Sequence, residues 1–158
     1  MAPDPASNLR SLGYDLPEVP RPAGSYVPAV STGPLVFTAG QLPLRDGSLA
    51  YRGKVGDELG VEEAQEAARL CALNALAAAA AAIGGLEGIS QIIKVTGYIA
   101  SAEGFTRQPE VLNGASDLLG DVFGAAGVHA RSAVGVAELP LNAPVEVEII
   151  ASHTARQG

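Results

Sequence analysis

Between residues 62 and 83 the larger apolar side chains recur every three or four positions. Leu70, Leu73, Leu76, Ala80 and Ile83 share one stripe, and nothing breaks the run before Gly84-Gly85. This spacing predicts a helix over 62–83, with Glu62 and Glu63 in a first turn where the helix dipole favours acidic groups. An alanine face (Ala64, Ala67, Ala68, Ala72, Ala75, Ala79) lets that helix lie close to whatever it covers, in this setting a sheet. Residues 90–100 alternate instead. They predict a strand with Ile93, Val95 and Ile99 on one face and Ile92, Lys94, Thr96 and Tyr98 on the other. A second helix is expected from Pro109, whose fixed φ suits a first helical position. Its stripe is Val111, Ala115, Leu118, Leu119, Val122 and Phe123, and Gly124 is its stop. Two strands, 131–138 and 145–152, flank the turn LPLNAP.

Upstream, YVPAV (26–30) and LVFTAGQL (35–42) read as strands joined by a tight turn at Gly33-Pro34. Asp46-Gly47 marks a further turn, and a third short strand is expected near 49–55. Residues 1–25 carry Pro3, Pro5, Pro17, Pro20 and Pro22, which predicts a mostly irregular arm with a short helical turn over 8–12. The remainder, 26–158, reads as one domain. The order β-β-β-α-β-α-β-β is an α+β arrangement, a single mixed sheet with two helices on one face.

Composition changes this picture in one respect. With 47% hydrophobic and 17% charged residues, 158 residues are apolar for a soluble monomer, so a partner copy is expected to cover part of the surface. The lone Cys71 excludes an internal disulfide and a cysteine metal cluster within one chain, and points to a reducing, cytoplasmic setting. The start MAPDPASNLR lacks the basic and apolar regions of a secretory leader, and the apolar stretch 71–83 reads as too short and weakly hydrophobic to span a bilayer. A net charge of −7 offers no general attraction to phosphate backbones or anionic lipid, so neither nucleic acid nor membrane is expected as a partner. No phosphate-binding loop or His-Glu-x-x-His is present.

The closing stretch RSAVGVAELPLNAPVEVEIIA (131–151) resembles the signature of the RidA/YjgF family, also called endoribonuclease L-PSP-like. There an arginine opens the penultimate strand, Leu-Pro marks the turn and a Val-Glu-Val-Glu strand ends the domain. GSYVPAV, FTAGQLP and IIKVTGYIAS fit in the same order, so the resemblance spans about residues 24–153. It implies a chorismate-mutase-like fold assembling as a homotrimer with clefts between subunits. It also implies hydrolysis of small 2-enamino or 2-imino acids to 2-keto acids and ammonia, without metal or organic cofactor. The alternatives are a non-catalytic trimer that binds or senses small carboxylates, and a ribonuclease, which the acidic composition disfavours.

Carried onto this chain, the resemblance makes Arg131 the carboxylate anchor, since a guanidinium fork can grip a carboxylate with two parallel hydrogen bonds. By position alone Arg131 is an exposed strand-end cation. Glu146 would position water or relay a proton, and either it or Glu148 could instead be the solvated side of a strand. Tyr26 walls the cleft or simply packs. Gly40 offers a backbone N–H or marks a bulge. Asn113 supplies an amide or is an interior polar group beside Gly114. His129 shuttles a proton or is solvated. Ala39 and Ala133 occupy positions where better-known deaminases of the family carry Ser and Cys, so two polar cleft groups are missing.

Overall fold

Alanine dominates the longest element because that element has neighbours on two sides. In the computed structural model, which describes residues 4–154, helix α2 (Val61–Ile83) is buried almost all round from Ala64 to Ala80. One side meets the sheet and another meets helix α3 (Gln108–Phe123). Gly114 of α3 makes the helix crossing possible, since a Cβ there would run into the backbone of Gln65. Gly84, at φ 93°, caps the C-terminus of α2 with its N–H on Ala80 O. The expectation drawn from 71–83 is corrected here. The helix has 23 residues and is long and apolar enough to cross a bilayer, but 72% of its most apolar window is buried inside the fold. Its apolarity is that of a core helix.

The main sheet has five strands: β1 (Ala29–Thr32), β2 (Leu35–Thr38), β5 (Ile89–Ala100), β6 (Ala130–Val136) and β7 (Val145–His153). A separate two-stranded hairpin is formed by β3 (Leu44–Arg45) and β4 (Ser48–Leu49). The sheet order is β1-β2-β7-β5-β6, with β5 and β6 parallel and every other pair antiparallel. The crossover between β5 and β6 runs through α3, as parallel neighbours require. Both long helices pack on one face, so the α+β reading with a mixed sheet holds.

Three expectations are revised. The strand foreseen at 49–55 is absent. The chain turns at Asp46-Gly47, both with positive φ, and closes the small hairpin instead. The first strand begins at Ala29 and not at Tyr26, because Pro28 has no N–H to give a ladder. The faces of β5 also differ: Ile92 is fully buried with Val95 and Ile99, whereas Ile93 is exposed. Register shifts between Ile89 and Gln91 and between Ile92 and Lys94 insert extra residues against β7, and each one reverses the alternation.

The N-terminal stretch carries more structure than one turn. Helix α1 (Pro5–Ser11) is capped by Asp4, whose side chain accepts from the N–H groups of Ala6 and Ser7. It is anchored by buried Leu9 and by Asn8 Nδ2 donating to Val122 O at 2.8 Å. The face of the sheet turned away from the helices stays partly apolar, with Val30, Phe37, Ile93 and Val134 between 39% and 54% exposed. Register joins Val30, Phe37 and Ile150 into one row across three strands.

Candidate active site in two halves

Arg131 lies on edge strand β6, opposite Val95 of β5, and shares the phase of that buried residue; its side chain turns toward α3. Nη1 donates to Ser116 Oγ at 3.1 Å and Nη2 to Pro109 O at 3.0 Å. Pro109, Asn113 and Ser116 stand four and three residues apart on α3, hence on one strip of the helix. Asn113 therefore sits between the two groups that hold the guanidinium. The ion pairs among the described residues are Lys54–Glu138, Arg69–Glu66 and Arg107–Glu110, so Arg131 has no acidic partner. It is a half-buried, oriented and uncompensated positive charge. Ala133, two residues on, shares this face of β6 and packs against the core.

His129 completes this half. Its Nε2 lies 2.9 Å from Ser116 Oγ and its Nδ1 2.6 Å from Gly127 O. A carbonyl only accepts, so Nδ1 carries a proton. In the neutral ring Nε2 must then accept, and the Ser116 hydroxyl donates to it.

The other half lies across the sheet. Glu146 and Glu148 of β7 both point to the face opposite the helices. Glu148 accepts a hydrogen bond from Tyr98 Oη at 2.9 Å, and this bond, with burial second, raises the Tyr98 phenol. Glu146 accepts no hydrogen bond from the described residues. Burial holds its carboxyl above the ordinary carboxylate range, and the charge of Glu148 adds to the effect. Gly40 lets this carboxylate lie against the backbone, because a Cβ there would collide with it. The Gly40 segment is pinned to β7 by Gln41, which exchanges backbone hydrogen bonds with Val147 at 2.8 and 3.0 Å. Ala39 donates its N–H to Pro28 O. Tyr26 is half exposed and its hydroxyl accepts from Ala23 N at 3.2 Å.

Arg131, Ser116 and His129 thus form one hydrogen-bonded cluster, with Asn113 on the same strip of α3, and Gly40 with Glu146 forms another. A single chain does not unite them, since Arg131 and Glu146 project from opposite faces of the sheet. The family model "YjgF/chorismate_mutase-like, putative endoribonuclease" matches residues 6–153. The chain belongs to this family. It is similar to Protein TCP17 of Trypanosoma cruzi, at 44% identity over 92% of this chain and 91% of that protein. Among solved structures it is similar to Atu1372 from Agrobacterium tumefaciens (43% identity, TM-score 0.89, covering 95% of this chain and 93% of that one). It is also similar to Escherichia coli TdcF with bound serine (29% identity, TM-score 0.65, 87% and 94%).

Sequence reasoning missed Ser116. The available signal was its helical spacing from Pro109 and Asn113, but only the packing of α3 over β6 brings that strip to Arg131.

Proposed function

We propose that this YjgF-family protein hydrolyses small 2-enamino or 2-imino acids to 2-keto acids and ammonia. The reaction takes place in clefts where the Arg131 half of one copy meets the Glu146 half of another in a homotrimer. The observation that carries this reading is the oriented Arg131 guanidinium with no acidic partner among the described residues. A guanidinium already oriented by two hydrogen bonds, with no acid beside it, is set to take a carboxylate as its charge partner. The partly apolar sheet face offers the surface such copies would cover. The serine bound to TdcF is itself a small carboxylate.

In the proposed reaction Arg131 holds the substrate carboxylate and fixes the plane of the imine. Water adds to the imine carbon while Glu146 takes its proton. That proton passes to the nitrogen to give a carbinolamine, and its hydroxyl proton is then relayed through Glu146 to the same nitrogen as the C–N bond breaks, releasing ammonia and leaving the keto group. A carboxyl held above the usual range suits this exchange better than a fully solvated one.

A second reading, a binding or sensing trimer without turnover, is favoured by Ala39 and Ala133, which bring no polar group to the cleft. One assay separates the two: 2-iminobutyrate is generated in situ and release of 2-oxobutyrate is followed with the wild type, Arg131→Ala and Glu146→Gln. Turnover by the wild type that both variants lose supports hydrolysis. Calorimetric binding of 2-oxobutyrate without turnover supports the sensing role. Equal rates in all three proteins reject the assignment of the site.

A further inference from the structure

Resting on the reading of Arg131 as carboxylate anchor, we infer that Ser116 and His129 are working parts of the same site: Ser116 is a ligand donor that His129 switches, so that carboxylate binding takes up a proton. The hydrogen bonds dictate this. With His129 neutral, the Ser116 hydroxyl proton is committed to Nε2, and Ser116 Oγ meanwhile accepts from Arg131 Nη1. The serine then has no proton to offer a ligand. When His129 gains a proton, Nε2–H donates to Ser116 Oγ and Nδ1–H stays on Gly127 O. Ser116 Oγ now accepts from both His129 and Arg131, and its own O–H is free to turn to an anion.

That charged state places an imidazolium beside a guanidinium, with one oxygen between them. The groups facing His129 are Ser116 from α3, the Gly127 carbonyl from the preceding turn and Arg131 from its own strand. The α3 carboxylates Asp117 and Asp121 are exposed, and Glu110 pairs with Arg107. On the neighbouring strand Lys94 pairs in register with Ala130, another cation and not an acid. No carboxylate among the described residues is bonded to either cation. A bound carboxylate would place a negative charge beside both cations and so offset their repulsion. By linkage the effect is reciprocal: an anion favours protonated His129, and lower pH tightens anion binding.

The hydroxyl is also where the site needs a polar group. Ala133 lies on the same face of β6 as Arg131 and has nothing to donate. Ser116 reaches the guanidinium from the facing helix and brings a hydroxyl there. His129 does not touch the ligand in this scheme and is a positioning residue.

The test is calorimetric titration of the full chain with 2-oxobutyrate, which stays ionised throughout, between about pH 5 and pH 8 in pairs of buffers with different ionisation heats. The expected result for the wild type is proton uptake on binding, with affinity rising by up to about tenfold per pH unit as pH falls across that range. Ser116→Ala and His129→Gln should still bind, more weakly at low pH, with flat pH profiles and no proton uptake. If both variants keep the wild-type slope and uptake, the switch is wrong while Arg131 keeps its role. If Arg131→Ala binds as tightly as the wild type at every pH, the anchor reading fails and the switch falls with it.

Discussion

Gly114 offers a test in which local propensity and packing predict opposite signs. In the interior of a helix, alanine is more favourable than glycine by about 1 kcal/mol. A Cβ on Gly114 would lie only 2.7 Å from Gln65 C and 2.9 Å from Gln65 Cα. The first falls about 0.7 Å short of the 3.4 Å at which ordinary contact begins. Both partners are backbone, so no side chain can turn aside, and α2 and α3 must separate along the largest helix–helix contact in the fold. Overpacking of this kind costs about 1–3 kcal/mol or somewhat more. Gly114→Ala should therefore lower stability by about 0–2 kcal/mol once the propensity gain is subtracted. Gly120 in the same helix is the control, because a Cβ there meets nothing within 4 Å. Gly120→Ala should raise stability by about 0.5–1 kcal/mol. Urea unfolding of both variants and the wild type, at one protein concentration to hold any assembly constant, gives the comparison. If Gly114→Ala matches or exceeds Gly120→Ala in stability, the close crossing of α2 and α3 is refuted.

Two more outcomes follow from titratable groups. Glu146 is raised in the folded chain, so its contribution favours folding below the unfolded carboxylate range and is lost as pH rises through its higher folded value. Glu146→Gln should flatten that fall, leaving the variant relatively more stable than the wild type near neutral pH. Denaturant midpoints across pH check this, and an unchanged pH profile would contradict it. The Cys71 thiol is pushed well up, chiefly by burial and then by the charge of Glu146, and it donates to Val145 O at 3.4 Å. It should resist iodoacetamide in the native protein and react only on unfolding; rapid native labelling would show that α2 is not the core element described.

Much of the fold was legible because the periodicity was sustained. Leu70, Leu73 and Leu76 announced α2, and the alternation in Val145-Glu146-Val147-Glu148 announced β7 and set both glutamates on one face. The bulges in β5 were not legible. Ile92 and Ile93 are the same residue type, and only their pairing with β7 decides which is buried. The hairpin at 44–49 showed its turn through Asp46-Gly47, but nothing local told that its strands would stand apart from the main sheet. For the site, Arg131 and Glu146 were visible in the closing motif. Their separation onto opposite faces required the parallel register of β5 and β6, a long-range property. Ser116 stayed hidden for the same reason, since an isolated helical serine has no signature until a partner strand is laid beside it.

The central claim is that Arg131 and Glu146 meet only between copies, and mixing two inactive variants tests it most directly. Arg131→Ala and Glu146→Gln, each silent alone, are combined in equal amounts, dissociated and reassembled, and imine hydrolysis is measured. Random assembly should restore about one quarter of the wild-type rate, because a cleft works when its arginine comes from one variant and its glutamate from the other. Activity no greater than that of the separate variants, in a mixture whose copies have demonstrably exchanged, would contradict the account.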